Sequence, residues 1–305
     1  MKENQQIPNE NQAKRKYMNT PNGYVIINET RISRHKNDSI LSFIKTPKHY
    51  VLVSLIFLLL LAQISSGAHA GFINTIVAII TASVLDLTVA TIQKRKIIVP
   101  EGGIITGIIV AVVLSPMNNW MITVLTTAIA ILSKHLFRVN KKPIFNPAAF
   151  GLFVVGIIMA SPQSWWGGMS LLPWWSILFL LITGYIVTQK VNKFPLVFSF
   201  LGFYLIFILL LSIVHIDTIG DLLRVPYINS ALFLAFFMLT DPPTSPAKYS
   251  DQVKFGILTA LCSVIAYFTL GGLTFLLAGL LVANAWKVMK QRKTKKQPHT
   301  VSAHS

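Results

Sequence analysis

Apolar runs separated by short polar and basic breaks dominate the chain from residue 51 onward. Ten such runs lie near 51–66, 72–91, 102–116, 119–137, 146–161, 174–188, 195–214, 228–240, 253–269 and 272–287. A helix satisfies its own backbone groups, so runs of this kind predict helices in lipid. Several are shorter than the roughly 20 residues a straight span needs. Short, Gly- or Pro-broken segments are tolerated where the backbone packs on protein or lines a cavity. The pattern predicts an all-α polytopic membrane protein with about ten transmembrane helices.

Composition agrees and charge adds topology. The 305 residues are 53% hydrophobic and 12% charged, unlike an ordinary soluble domain. The net charge of +17 would suit a nucleic-acid partner, but its placement argues against nucleic acid. With the N-terminus inside, 26 of the 27 Lys and Arg fall in inside segments, and only Arg224 falls outside. The expectation is a multi-pass protein of the cell (inner or plasma) membrane with both termini cytoplasmic. Residues 1–48 and 289–305 read as basic tails, the first partly disordered. Trp120, Trp165, Trp166, Trp174 and Trp175 fall at the outer ends, as an interfacial belt would.

Ten helices divide into five (49–161) and five (162–288), and an odd number per half predicts an inverted repeat. Two short runs support the division: one ends in Leu114-Ser115-Pro116, its counterpart in Leu239–Pro246, LTDPPTSP. Asn146 and Gly271-Gly272 open the fifth and tenth helices in the same spirit.

LTDPPTSP is the densest concentration of chemistry. Prolines lack the N–H that would continue a helix and push the preceding residue to extended backbone. Carbonyls at the helix end are left needing partners, which builds a polar site inside an apolar protein. Asp241 there suits a cation, a ligand or a turn cap, and Thr244 and Ser245 supply hydroxyls. Asn146-Pro147 reads as an N-cap and first helical position. Ala148, Ala149 and Gly151 then offer a small-residue face that admits another helix or a flat ring. Asp86 is the one charged residue well inside an apolar run. It is either an ion-pathway group or paired with a basic neighbour near the inner surface. The single cysteine, Cys262, excludes an intramolecular disulfide and a protein-only Cys-ligated cluster. The seven histidines lie in tails or near helix ends, against a b-type haem. No metal-ligand motif, P-loop or nucleophile–base arrangement stands out.

KKPIFNPAAFG (Lys141–Gly151), MLTDPPTSP (Met238–Pro246) and GGIITGIIVAVVLSP (Gly102–Pro116) together resemble a family of membrane electron-transport subunits. These are the D subunit of Rnf complexes and the B subunit of sodium-translocating NADH:quinone oxidoreductase. The resemblance covers most of residues 45–290. It implies a fold like that of urea transporters, bound flavin, and electron transfer coupled to ion movement beside partner subunits. Members usually esterify FMN to a threonine in an outer segment resembling DG-x-T-x-AT-P. The corresponding stretch here is Trp166–Pro173, with Leu172 at the acceptor place and Met169 at the earlier threonine. Neither has a hydroxyl; Ser170 substitutes only if the register slips. The expectation is FMN or riboflavin held noncovalently, with Asn146, Pro147, Ala148, Gly151, Asp241, Thr244, Ser245 and Ser170 as candidate flavin-site residues. Asp86 and Asp241 are the ion-pathway candidates.

The leading expectation is a flavin-binding subunit of an Rnf-like complex. Loss of the attachment threonine favours the alternative, a stand-alone transporter of riboflavin or another small solute. A membrane scaffold that anchors a redox partner is a third.

Overall fold

The structure, a computed structural model, describes residues 16–20, 23–27, 46–66, 69–94, 100–170, 172–214, 217–270 and 272–296. Gly271, Arg95, Lys96 and much of both tails lie outside these. The chain divides into two units, Met1–Ile44 and Lys45–Ser305. In the first, β1 (Lys16–Thr20) pairs antiparallel with β2 (Gly23–Ile27), Tyr17 opposite Ile26. Apolar–polar alternation did not mark this hairpin among the basic residues.

The second unit holds ten α-helices among its described residues. They are α1 (Pro47–Ser66), α2 (His69–Ile92), α3 (Glu101–Val113), α4 (Trp120–Leu136) and α5 (Pro147–Ile158), then α6 (Ile177–Val191), α7 (Phe194–Ile213), α8 (Val225–Phe233), α9 (Tyr249–Leu270) and α10 (Thr274–Lys296). A small hairpin, β3 (Arg138–Val139) with β4 (Lys142–Pro143), joins α4 to α5. Among the described residues, five helices are long and apolar enough to cross a membrane: α1, α2, α6 with the turn from Trp174 that precedes it, α7 and α9. The shorter apolar helices are α3, α4, α5 and α8 with its continuation to Met238. These lengths make the chain a multi-pass membrane protein. α10 runs to Lys296, past the expected end near residue 287.

Helix pairs recur between the halves. α2 packs on α4 as α7 packs on α9; α4 packs on α5 as α9 packs on α10; α1 meets α6, and α5 meets α10. Small residues set the second kind of contact. A Cβ on Gly151 of α5 would lie 2.5 Å from the Thr126 carbonyl oxygen of α4. One on Gly279 of α10 would lie 2.6 Å from the Thr259 carbonyl oxygen of α9. Without a hydrophobic drive between helices in lipid, such close backbone approach supplies much of the association. At Gly151 the small face is therefore filled by α4.

The tryptophans depart from a uniform belt. Trp120, Trp174 and Trp175 are exposed, but Trp165 and Trp166 are 0% and 1% exposed. Trp166 Nε1 donates to the Ala111 carbonyl (3.0 Å), Trp165 Nε1 donates to Gln163 Oε1 (3.3 Å), and the Trp165 ring meets Phe233 edge-on. They fill the protein interior beside the end of α3, where each ring finds an acceptor for its N–H.

Gly151→Ala is expected to cost about 1–3 kcal/mol through overpacking, read as a lower thermal midpoint in detergent. Gly202→Ala is the control, because among the described residues nothing lies within 4 Å of its added Cβ, and it should leave the midpoint unchanged or slightly raised.

Candidate functional site

The site forms where α8 stops. After Phe233 the helix widens into a π-helical turn, Leu234–Met238, all buried, with the Leu239 N–H reaching the Leu234 carbonyl at 2.8 Å. Such turns arise where a helix must re-aim its carbonyls. Gly184 of α6 admits the Phe236 ring against this turn, and Thr240 Oγ1 donates to the Phe236 carbonyl (2.6 Å).

The loop then folds around Asp241. Its carbonyl accepts from the Ser245 N–H (2.9 Å), Ser245 Oγ (2.8 Å) and the Thr244 N–H (3.2 Å). Thr244 Oγ1 donates to the Asp241 carboxylate at 2.8 Å. The turn's N–H groups thus go to the Asp241 carbonyl, while its carboxylate takes the Thr244 hydroxyl.

Pro242, Pro243 and Pro246 bring carbonyls without N–H groups, and side chains from elsewhere supply the donors. Lys193 Nζ, between α6 and α7, donates to the Pro246 carbonyl. Lys287 Nζ of α10 donates to the Pro243 carbonyl (2.6 Å), and Asn284 Nδ2 to the Thr244 carbonyl (3.1 Å). Gln252 Nε2 of α9 donates to the Ala247 carbonyl (3.0 Å).

Asn146 ties this loop to α5. Its Oδ1 accepts from the Ala149 N–H at 3.1 Å, the expected N-cap. Its Nδ2 donates to the Met238 carbonyl at 3.1 Å, and its own N–H donates to Asn284 Oδ1 at 2.9 Å. Asn284 is 0% exposed and spends both ends of its amide here. The structure brings Asn146, Pro147, Ala148, Gly151, Asp241, Thr244 and Ser245 to this junction and its adjoining helix.

Electrostatics set the tone of the junction. Lys193 is 4% exposed. Burial lowers its ammonium to about 8, against the attraction of Asp241. Burial also pushes the Asp241 carboxyl up, opposed by the Thr244 hydrogen bond and by Lys287, Lys48 and Lys193.

The other two candidates stand elsewhere. Asp86, buried in α2, accepts from Lys134 Nζ (2.8 Å) and bonds His135 Nε2 (3.0 Å), both on α4. It has basic neighbours, as one reading held, on the facing helix. Ser170 shares no hydrogen bond with the junction; its Oγ is enclosed without a partner among the described residues. It follows the turn Trp166–Gly168, which is flanked by Trp165 and Met169 at φ 48° and 62°.

Sequence reasoning missed Asn284, Lys193, Lys287 and Gln252. Asn284 carried a signal, as a lone amide in an apolar run. The lysines were read only as orientation charges.

Asn284→Ala strands the Thr244 carbonyl and the Asn146 N–H, an expected loss of about 1–3 kcal/mol per unmet group, measured as thermal stability in detergent. Lys193 gives a pH test. Its folded value of about 8 lies below the ordinary 10.5, so between them the unfolded chain binds more protons. Stability rises with pH across that window. Lys193→Met should flatten the rise measured by thermal melts at stepped pH.

Two comparisons bear on this geometry. One curated relative is the D subunit of the ion-translocating oxidoreductase complex of Aliivibrio salmonicida (strain LFI1238), 28% identical over 111 residues. That match covers 35% of this chain and 32% of the relative, about a third of its length. The model of the NQR2, RnfD, RnfE family matches residues 41–170 and 163–299, spanning both short proline-ended helices, their loops and the Asn146 junction. With most of its length matched, the chain belongs to the NQR2, RnfD, RnfE family.

Proposed function

We propose that this chain is a membrane subunit of an ion-translocating oxidoreductase complex, working beside partner subunits. The observation that carries the reading is family membership across the junction of α5, α8 and α10. Its two halves act as an inverted repeat, a reading supported by the recurring helix pairs and by the matched glycine contacts of α5 and α10. Both termini lie on the cytoplasmic face, as the lysine and arginine distribution favours.

We assign the junction a noncovalently held flavin, FMN or riboflavin. The outer segment does not fit covalent attachment. Leu172 and Met169 have no hydroxyl, and the Ser170 hydroxyl is enclosed. The junction fits noncovalent binding through its spare capacity. The Asp241 carboxylate accepts one side-chain bond where about four lone-pair sites are available. Lys193 and Lys287 each spend one of three donors on the loop. These three would hold the polar edge of the ring system. Asn146, Thr244 and Ser245, satisfied within the frame, orient them. When bound, the flavin supplies reversible electron storage. In the transporter alternative, which Leu172 favours, the same groups recognise a solute that passes through.

The test is the visible spectrum of detergent-purified protein before and after denaturation. Yellow chromophore released on denaturation is the expected outcome, and Asp241→Asn should reduce its occupancy. Chromophore that stays on the chain overturns the noncovalent assignment. A colourless, monodisperse protein that takes up riboflavin in vesicles without partners selects the transporter reading.

A further inference from the structure

On the far side of the proline loop lies a cavity of about 600 Å³. Its walls are the β3–β4 hairpin, the loop from Pro242 to Lys248, and the face of α10 that carries Lys287, Lys290 and Gln291. Asp241 and Lys193 are not among its lining residues, while Ser245 and Lys287 border both this cavity and the junction assigned above.

Four lysines line it, Lys142, Lys248, Lys287 and Lys290, against one carboxylate, Asp251. Lys290 is bonded to Asp251 and also stands 5.5 Å above the Trp286 ring. Among the described residues, neither Lys142 nor Lys248 is in an ion pair. Lys287 is only 9% exposed, and Lys142 repels it across the space. Converging like charges raise the energy of the empty cavity, and an anion relieves it.

The remaining wall chemistry narrows the ligand. Pro143, Pro242, Pro243 and Pro246 have no N–H, so the charged donors on these walls are the lysines, beside the neutral amides of Asn140 and Gln291. Lysine ammoniums act as point charges with rotatable donors, suited to a tetrahedral oxyanion. The hairpin that carries Lys142 over the cavity turns through Asn140 and Lys141 at φ 51° and 64°. Both are in the left-handed region, which lysine rarely adopts. Positive φ at both central residues is what a two-residue hairpin turn takes, and the turn places Lys142 at the cavity wall. Basic pockets beside membrane helices are also suited to lipid phosphates.

We propose that this cavity is a phosphate-binding site, with Lys142 and Lys248 contacting the anion and Lys287 setting the positive floor. The phosphate comes either from an anionic phospholipid headgroup or from a soluble phosphate.

The experiment uses the full chain in phosphatidylcholine nanodiscs. One arm titrates inorganic phosphate at constant ionic strength; the other raises the fraction of phosphatidylglycerol. The readout is the thermal midpoint, which a ligand of the folded state raises saturably. A response to phosphate assigns a soluble source, and a response to phosphatidylglycerol alone assigns the headgroup. In either case Lys142→Gln/Lys248→Gln should weaken apparent affinity by about tenfold or more, the scale of a lost charge-assisted hydrogen bond. The charge-matched Lys94→Gln/Lys254→Gln, at exposed positions outside the cavity, should keep it within about twofold. All four replaced lysines are exposed, so the variants are expected to fold. No saturable response in either arm overturns the proposal. So does an equal loss in both double variants, which assigns the effect to net charge.

Discussion

A helix that ends at prolines among apolar neighbours must find donors for carbonyls that no following N–H can serve, and α8 meets that constraint with side chains from four other places. Asn146 comes from the start of α5, Lys193 from the α6–α7 connection, Gln252 from α9, and Asn284 and Lys287 from α10. An unmet buried acceptor costs about 1–3 kcal/mol, so these donors hold their elements to the loop as firmly as the loop needs them. The end of α3 is solved the same way. The Val113 carbonyl accepts from the Ser164 and Trp165 N–H groups, the Ala111 carbonyl from Trp166, and the Pro116 carbonyl from Asn74. Two proline-ended helices in matching places therefore organise the segments around them by one rule.

Packing makes that arrangement reachable. Gly151 lets α5 lie against the backbone of α4, which sets where the Asn146 cap meets the loop. Gly279 does the same for α10 on α9, and Asn284 sits little more than one turn further along α10. A shift of either helix by the width of a methyl group would lengthen the Asn146–Asn284 bond beyond use. Close helix contact and polar satisfaction thus depend on the same small residues.

Much of this was legible in the apolar pattern, and most of what was not shares a cause. Ten helices follow from ten apolar runs, and the N-cap at Asn146 follows from Asn before Pro. The loop at Asp241 declared itself by its prolines. What the pattern lacked was a view across the chain. Lys193 and Lys287 look like orientation charges until the loop carbonyls they serve are placed beside them. Trp165 and Trp166 look interfacial until Ala111 and Gln163 supply their acceptors. The β1–β2 hairpin was marked by Asn22-Gly23 and the apolar Tyr24–Ile27, a signal the basic composition of the tail outweighed. Helix ends moved as well: α10 runs on to Lys296, beyond the apolar run that marked it.

The distribution of spent and spare hydrogen bonds changes where function should be sought. The recognisable motif residues Asn146, Thr244 and Ser245 are consumed in holding one another and the loop. A group with all its bonds made is a frame; recognising anything further would mean breaking a bond already formed. Capacity remains on the side chains that the motifs do not name, the ammoniums of Lys193 and Lys287, and on the one motif acid, Asp241. Burial acts against charge on both sides of that pairing, lowering Lys193 and raising Asp241. What favours charge on Asp241 is the Thr244 hydrogen bond with Lys287, Lys48 and Lys193, and on Lys193 the attraction of Asp241. Any ligand that entered and offered hydrogen bonds to either partner would shift that balance. Chemistry at this junction is accordingly expected to be felt first by the lysines and the aspartate, while the asparagines keep the helices in place.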